Sequence, residues 1–531
     1  MKPIKNKFIL LFNPKPVETG RTVLPLGLLA VSSYLARDGY DIRIYHSSQK
    51  REYMEVLDHL DKAICVGITS MTGFQIIDGL NFAKLVREKN KNIPIVWGGV
   101  HPTIKPRQTL EHSLVDIVVR DQGEETFYKL VKALESGSEL GNILGISYKV
   151  SGKIIENALR PVKSIDEFPP LPYHLLDDRI EDYISRSGPG KRTLPIITSS
   201  GCPFNCGFCY LSTPEFKRKW DAYPPDRVIN EIEYLVNRYD LTDVDIRDSN
   251  FFIDKNRAEK IFQGVIEKKI KVSFINVNGR VDQLAGLSDE YWQLMKTAGV
   301  KELLVGAESG DQGMLDLINK GITPETTMEC ERKAAKHNIN INNSLLTNFP
   351  PTTDNPVISR QVLKRELNNT VELIRKLYKI NPTTNIMLFS YTPYPGTPLY
   401  DLCLKRGFKD PQSLEEWGEM NLNTKTIPWI KKIHIDRVEM LNDLFTLKKI
   451  TSFKYFIEKE HKSNKHYFLA YSGLSFLLNS WISLRLKYKI FAFPFERILF
   501  SLSVKSYSKF KQRASLNSLF KAKDRKRAMN C

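Results

Sequence analysis

Short apolar runs alternate with amphipathic stretches over roughly the first 145 residues of the chain. The runs are KFILLFN, DIRIYH, AICVGITS, IPIVWGG and DIVVRD. Because Ile- and Val-rich strands separated by amphipathic helices are typical of a parallel sheet, the pattern predicts a doubly wound α/β domain. Turn residues follow these strands at their carboxyl ends, where open sheets of this kind bind ligands.

A proline-rich stretch interrupts this alternation, and a second series of strands follows it. DEFPPLPYHLL (166–176) carries three prolines and predicts a linker between domains. From about residue 190 to about residue 400, six apolar runs alternate with helical stretches, beginning with LPIITSS and ending with TNIMLFSYTP. Six β/α units that run in one direction predict a partial barrel of the TIM type.

The two series divide the chain into four segments. We predict a Rossmann-like domain at residues 1–160, a linker at 161–189, a partial (β/α)6 barrel at 190–405, and a helical, basic extension at 406–531. A chain of 531 residues is too long for a single core. Its 42% of hydrophobic and 26% of charged residues are typical of a folded protein.

The positive charge of the chain is unevenly spread. The formal net charge is +18, and residues 485–531 hold 13 Lys or Arg against Glu496 and Asp524, a local charge of +11. This distribution predicts an acidic partner for the tail, such as a membrane surface. It does not favour nucleic-acid binding by the whole molecule.

Three of the seven cysteines lie together in TSSGCPFNCGFCYLS (198–212). The other four are isolated, which argues against a secreted disulfide scaffold and favours a reducing cytosol. A structural zinc ion needs a fourth ligand, and the sequence offers no second Cys/His pair at a suitable spacing. A [4Fe–4S] cluster held by three cysteines keeps one iron open for another ligand. The spacing therefore favours such a cluster, with zinc or buried packing as the alternatives.

The stretch CPFNCGFC after a strand resembles the radical S-adenosylmethionine (radical SAM) superfamily. The resemblance implies that Cys202, Cys206 and Cys209 hold a [4Fe–4S] cluster whose free iron is chelated by S-adenosylmethionine (SAM). It also implies that electron transfer to SAM yields a 5′-deoxyadenosyl radical. A reductant such as flavodoxin or ferredoxin would supply the electron.

Three later stretches resemble motifs of the same superfamily at successive strand ends. They are DIRDSNFF (245–252), NVNGR (276–280) and VGAESGD (305–311). The resemblance implies SAM-binding roles for Asp248, Ser249, Arg280 and Glu308. One departure is LLTNFPPTTDNP, which lacks the glycines of the turn that the superfamily often has after its fifth strand.

The first domain resembles the cobalamin-binding domain that is fused to many radical SAM enzymes. The stretches that carry this resemblance are LPLGLLAVSSYLARDGYDI, VGITSMTGFQI and PIVWGGVHPT. It implies cobalamin contacts at six positions, which are Leu26, Gly27, Ser70, Thr72, Gly98 and Gly99. The D-x-H-x-x-G motif of mutases is absent, so we expect no cobalt ligand from it. A nucleotide-binding or purely structural Rossmann-like domain is the alternative, although G-x-G-x-x-G is also absent.

Together the two resemblances imply a cobalamin-dependent radical SAM enzyme. The expected reaction is C-methylation of an unactivated carbon on a small-molecule or lipid-like substrate. One alternative is a cobalamin-dependent cyclase or rearrangement enzyme without net methylation. A second is a non-catalytic iron–sulfur or cobalamin sensor.

A stretch near the C-terminus, YFLAYSGLSFLLNSWISL (467–484), is uncharged. A transmembrane helix needs about 20 mostly apolar residues, and this stretch contains four serines and an asparagine. With basic residues directly after it, the stretch favours an interfacial helix and a cytoplasmic protein in peripheral contact with the inner membrane face. A helical cap packed on the barrel is the alternative.

Overall fold

The computed structural model describes residues 7–16, 22–186, 188–216, 220–420, 427–450 and 465–490. The greater part of the predicted basic tail, from residue 491 onward, lies outside the described residues. The N-terminal sheet has seven strands: β1 (Phe8–Asn13), β2 (Asp41–His46), β3 (Ala63–Thr69), β4 (Ile95–Gly98), β5 (Ile117–Val119), β6 (Ile146–Val150) and β7 (Lys153–Glu156). The helices between them are α1 (Leu26–Arg37), α2 (Lys50–Leu57), α3 (Phe74–Lys89), α4 (Val100–Ile104), α5 (Pro106–Glu111) and α6 (Gly123–Ser136).

The N-terminal sheet has the strand order β2-β1-β3-β4-β5-β6-β7. It is parallel through β5, and β6 and β7 extend it as an antiparallel pair. Strands β1 and β3 are almost wholly buried, as expected of inner strands without polar alternation. The chain runs from β1 to β2 on one side and returns to β3 on the other. Such a switch in direction opens a crevice at the carboxyl ends of β1 and β3.

A barrel of parallel strands follows, after the short helix α7 (Ile180–Tyr183). Its strands are β8 (Thr193–Ile196), β11 (Asp243–Ile246), β12 (Ser273–Ile275), β13 (Val277–Gly279), β14 (Glu302–Glu308), β15 (Asn340–Thr347) and β16 (Asn385–Ser390), and β9 (Ser199–Ser200) pairs with β10 (Asp221–Ala222) beside them. The helices are α8 (Pro225–Tyr239), α9 (Lys255–Glu267), α10 (Val281–Ala285), α11 (Asp289–Ala298), α12 (Gln312–Leu317), α13 (Pro324–Lys336) and α14 (Pro356–Ile380).

The barrel has six β/α units. One parallel group runs β8-β11-β12 and the other runs β13-β14-β15-β16. Strands β12 and β13 form one unit that is broken at Asn276, whose φ of 50° lies in the left-handed region. The predicted α/β class, with a Rossmann-like domain followed by a partial barrel, is confirmed.

The short helix α15 (Tyr400–Lys405) ends the barrel segment, and the described residues of the C-terminal extension hold three helices that contact both domains. They are α16 (Leu414–Glu419), α17 (Lys432–Ile450) and α18 (Lys465–Tyr488). Helix α17 packs against β16, and α18 packs against α14 and α17. Across the ranges given above, none of these or the other helices combines the length and apolar content that crossing a bilayer requires.

Helix α16 ties the extension to the N-terminal domain. It packs against α3, where the carbonyl oxygen of Met420 occupies the space that a Cβ on Gly73 would take. Trp417 is fully buried, and its indole Nε1 donates a hydrogen bond to Oε1 of Gln108 at 2.7 Å. The ring of Trp417 also lies against His101, with 5.5 Å between ring centroids. The extension therefore holds the first domain against the barrel.

Replacing Trp417 by Ala should destabilise this contact strongly. Removing a buried aromatic ring costs about 3 to 5 kcal/mol, because the cavity left behind relaxes only partly. Gln108→Ala is the milder comparison, since it removes one hydrogen bond worth about 1 kcal/mol. Urea unfolding followed by circular dichroism measures both changes. A Trp417→Ala midpoint equal to that of the wild type would contradict a stabilising role for this contact.

Candidate functional site

The three clustered cysteines lie on the loop that follows β8 and β9, called here the cysteine loop (residues 201–209). Backbone hydrogen bonds fix this loop on both sides. Gly207 N donates to the carbonyl of Ile318 and Leu399 N donates to the carbonyl of Gly207, each at 2.8 Å. The carbonyl of Cys206 accepts from Cys209 N at 3.1 Å and from Ser212 Oγ at 2.9 Å. The barrel itself therefore sets the shape of the loop.

Burial and nearby cations act on the thiols in opposite directions. Burial raises the pKa of Cys206, and Lys320 and Arg280 offset part of that rise. Burial raises the pKa of Cys209 to about 11. Arg280 Nη1 lies 3.8 Å from the sulfur of Cys206. Because thiolates are the form that binds iron, the two cations favour the state that a cluster needs.

The thiols do not converge on a single point. Among the residues with a described placement, no group of three His, Cys, Asp or Glu side chains is close enough to hold one metal ion. A [4Fe–4S] cluster places each thiolate on a different iron, so it does not require the three sulfurs to meet at one ion. The residues present therefore fit a cluster.

Asp248 lies directly after β11, where it is almost fully buried. Its carboxylate accepts hydrogen bonds from Thr198 N, Thr198 Oγ1 and Ser199 Oγ, each at 2.6 Å. Burial raises the pKa of Asp248, and these three donors work against that rise. The side chain thus holds the segment that leads into the cysteine loop. The neighbouring Ser249 lines the large cavity described below.

Arg280, which follows β13, lies beside the cysteine loop. Its guanidinium packs over the ring of Phe204, 3.8 Å from the centroid. It donates to both carboxylate oxygens of Asp282 and, from Nη2, to the carbonyl of Lys320 at 2.6 Å. These contacts hold the cation near Cys206.

Glu308 forms a buried ion pair with Lys320, at 2.6 Å between Oε1 and Nζ. Burial lowers the pKa of Lys320, but Glu308 and Cys206 together outweigh it, so the pKa is raised overall. Glu308 lies at a break in the β14–β15 register and has a φ of 58°, which turns its side chain out of the strand pattern. A Cβ at Gly306 would collide with this carboxylate.

Sequence reasoning did not identify Lys320. The only signal in the sequence is a lysine in the turn NKG after a short helical pattern. Such lysines are usually solvated, and only the turn after α12 brings this one back onto Glu308.

The turn after β15 shows how the chain replaces the missing glycines. Asn348 has a φ of 63°, the left-handed conformation that asparagine tolerates best after glycine. Its backbone N donates to Glu366 at 3.2 Å, and its side chain donates to Ser390 Oγ at 3.0 Å. Burial raises the pKa of Glu366 to about 8.

A small apolar cavity of about 160 Å³ lies against the cysteine loop. Phe208, between the second and third clustered cysteines, forms one wall. The other lining residues come from the ends of β15 and β16 and the loop after β16: Leu346, Phe389, Ser390, Tyr391, Thr392 and Tyr394.

A larger cavity of about 380 Å³ lies between the N-terminal sheet and the cysteine loop. From the N-terminal domain it is lined by Gly27, Gly67, Gly98 and Gly99 and by apolar side chains, among them Leu11, Trp97 and Phe127. From the barrel it is lined by residues on and around the cysteine loop: Ser199, Ser200, Gly201, Tyr210, Leu211, Phe216, Arg247 and Ser249. The carboxyl ends of both sheets therefore open into one space.

Two glycines of this cavity differ in what an added side chain would meet. A Cβ on Gly27 would meet nothing within 4 Å, so this position is simply kept open. Gly99 has a φ of 98°, and a Cβ there would lie 2.8 Å from the carbonyl oxygen of Ser70. The backbone thus forms much of the wall, as it must where a bulky nucleotide-like ligand approaches closely.

The other three predicted cobalamin positions lie outside the lining of this cavity. Leu26 is buried at the start of α1, and Ser70 lies behind Gly99 with its carbonyl accepting from His101 N at 3.2 Å. Thr72 Oγ1 is 2.9 Å from Nδ1 of His101. Burial lowers the pKa of His101 to about 3, so the ring is uncharged and serves as a packing contact between the domains.

A crevice partly lined by glycines faces the residues that flank three clustered cysteines across one cavity, and this arrangement fits an α/β enzyme with two cofactors. Comparison with known proteins agrees. Residues 17–131 match the model of the B12 binding domain, and residues 196–360 match that of the radical SAM superfamily. Over 391 residues the chain is 31% identical to an uncharacterized methyltransferase of Pyrococcus horikoshii, which covers 72% of this chain and 79% of that protein.

Two further matches are relevant to the site. The chain is 27% identical over 410 residues to the anaerobic magnesium-protoporphyrin IX monomethyl ester cyclase of Synechocystis sp., covering 75% of this chain and 77% of the cyclase. The structure of the radical SAM methyltransferase TsrM from Kitasatospora setae, with cobalamin and a [4Fe–4S] cluster bound, matches with a TM-score of 0.60. That match has 17% identity and covers 76% of this chain and 75% of TsrM, so it shows a shared fold.

The chain therefore belongs to the cobalamin-binding methyltransferases of the radical SAM superfamily. It is a radical SAM enzyme, and its cofactors are a [4Fe–4S] cluster, SAM and cobalamin.

Replacing any one cysteine of the loop by Ser should abolish cluster binding. After anaerobic reconstitution the wild type should hold about four irons per chain, and Cys202→Ser, Cys206→Ser and Cys209→Ser should hold close to none. Cys403→Ser is the matched control, because its hydroxyl can replace the thiol that donates to the carbonyl of Leu399. Iron and sulfide analysis gives the result. Equal iron in a loop variant and in the control would contradict the assignment.

Filling the large cavity at Gly27 should block cobalamin without harming the fold. Gly27→Leu places a side chain in open space, and a helical Gly→Leu change favours the helix by up to about 1 kcal/mol. We expect the thermal midpoint of the apoprotein to hold or rise, while corrin absorbance after desalting falls at least about tenfold. Gly99→Ala should instead lower both the thermal midpoint and the corrin absorbance, because Gly99 has a positive φ that alanine adopts only with strain. Full corrin retention in Gly27→Leu would show that cobalamin binds elsewhere.

Proposed function

We propose that the protein is a C-methyltransferase that acts on an unactivated carbon of a small-molecule or lipid-like substrate. The observation that carries the proposal is the single cavity into which the switch-point glycines and the cysteine loop both open. When bound, the cluster with SAM would supply a radical that removes a hydrogen atom, and cobalamin would supply the methyl group. A carbon that reacts in this way needs no acidic proton.

The residues around the cysteine loop suit a zwitterionic ligand beside the cluster. Cys202, Cys206 and Cys209 would hold the cluster. Glu308 and Lys320 present one charge of each sign at a buried site, and Arg280 adds a second cation next to Cys206. The amino and carboxylate groups of SAM need such paired charges when they leave water.

Two of the remaining SAM candidates would act differently from each other. Ser249 lines the large cavity and would face the cofactor directly. Asp248 would act through Thr198 and Ser199, whose positions it fixes by hydrogen bonds. The small apolar cavity beside Phe208 has aromatic walls that suit the flat adenine ring of SAM.

The glycine-lined side of the large cavity would receive cobalamin. Gly27, Gly98 and Gly99 line it and would approach the ligand through their backbone. Leu26, Ser70 and Thr72 would shape the wall from behind. We also propose that the Rossmann-like domain ends near residue 160 and the barrel spans 190–405. In support, β7 ends at Glu156 and the first barrel strand begins at Thr193.

A second candidate is a cyclase or rearrangement reaction without net methylation. The similarity to the magnesium-protoporphyrin cyclase favours it, because that alignment covers three quarters of both chains. Either reaction needs a one-electron reductant, for which we propose flavodoxin or ferredoxin in the cytoplasm, with peripheral contact at the inner membrane face.

The protein reconstituted with iron, sulfide and hydroxocobalamin should cleave SAM under dithionite. We expect 5′-deoxyadenosine from the wild type and none from Cys206→Ser, measured by liquid chromatography with mass detection. With SAM that carries a deuterated methyl group and an extract of candidate substrates, the product should carry the label. An unlabelled product that has lost hydrogens would favour the cyclase. No 5′-deoxyadenosine at all would favour a sensor.

A further inference from the structure

The last described helix, α18, is held on the protein by one face. Ile482, Arg485 and Leu486 are buried, and the two apolar ones belong to a core that includes residues of α14 and α17. This face accounts for the packing of the helix on the barrel extension. It leaves another side of the helix directed away from the core.

The side of α18 that lies about a third of a turn from this buried face carries an exposed apolar stripe. Leu477, Leu484 and Tyr488 are 66%, 47% and 61% exposed, and Trp481 on the same side is 43% exposed. Successive members are four, three and four residues apart, which places them in one line along the helix. Single exposed apolar residues are common on protein surfaces, but a line of four large ones marks a surface that contacts something.

Positive charge lies at the C-terminal end of this stripe. Lys487 and Lys489 are exposed, and Lys487 lies over the ring of Tyr488. The sequence from residue 491 onward adds ten Lys or Arg against two acidic residues. The partner must therefore match an apolar and aromatic line that ends in a strongly basic segment.

We propose that this face, called here the α18 stripe, docks the protein on a lipid surface with anionic headgroups. Tyr and Trp suit the boundary between hydrocarbon and water because each has an apolar ring and a polar group. Lysines beside them are attracted by anionic lipid, and their long stems let the charge reach the headgroups. A helix that lies in the interface needs one apolar face only, and α18 presents one.

The charge pattern argues against a second copy of the chain as the occupant. Two α18 stripes packed in parallel would bring Lys487 and Lys489 of both copies together, and such like charges repel at an interface. The lipid proposal deepens the peripheral membrane contact proposed above, and it is tested apart from the reaction because binding is measured without turnover.

Sedimentation with vesicles tests the proposal on the full-length, reconstituted protein. The probes are vesicles of phosphatidylcholine alone and of phosphatidylcholine mixed with phosphatidylglycerol. We expect binding to the mixed vesicles at low salt, and loss of binding as sodium chloride screens the attraction. Leu477→Glu/Leu484→Glu should lower the partition coefficient at least about tenfold, because two apolar side chains leave the interface and two negative charges enter.

The matched control is Leu159→Glu/Val162→Glu, which makes the same change in charge at exposed positions just before and at the start of the linker. These residues are 52% and 54% exposed and should leave binding nearly unchanged. Three results would overturn the proposal: no sedimentation with either vesicle at low salt, an equal loss of binding in both double variants, or self-association without vesicles that only the α18 variant abolishes. The last of these would assign the stripe to a second copy.

Discussion

The direction of parallel strands is the constraint on which the site depends. All strands of a parallel sheet end at the same edge, and the loops at that edge can vary without disturbing the buried strands. In this chain two such edges face one cavity. Gly98 and Gly99 follow β4 on one side, and Ser249 follows β11 on the other. Two cofactors can meet there because the N-terminal domain and the barrel both place the loops that follow their strands at this cavity.

Much of this arrangement could be predicted from the sequence, since its signals are local. Strand β1 is a continuous apolar run, and the spacing of the clustered cysteines by itself favours a [4Fe–4S] cluster. Lys320 could not be found in this way, because a strand irregularity and a helix turn bring it onto Glu308. The contact of Trp417 with Gln108 could not be found from the sequence either, because the two residues are 309 positions apart. Neither residue carries a pattern that identifies its partner.

Burial affects the ionisable groups around the cysteine loop as much as the charges of their neighbours do. The ion pair of Lys320 and Glu308 loses hydration on both members, and such pairs rarely add stability. What the pair provides is position: a cation that lowers the pKa of Cys206 and an anion that raises it are both fixed beside the cysteine loop. Arg280, tied to Asp282 and to the carbonyl of Lys320, places a second cation next to Cys206, and Asp282 balances its charge.

The docking of α16 on α3 has a consequence for the order in which the protein is made. Helix α3 is synthesised long before α16, and the contacts between them have a very large sequence separation, which slows their formation. During translation, the surface around Gly73 and Ile77 therefore stays uncovered until the barrel and its extension have left the ribosome. We expect this surface of the N-terminal domain to be covered as a late event, after the cysteine loop has been synthesised.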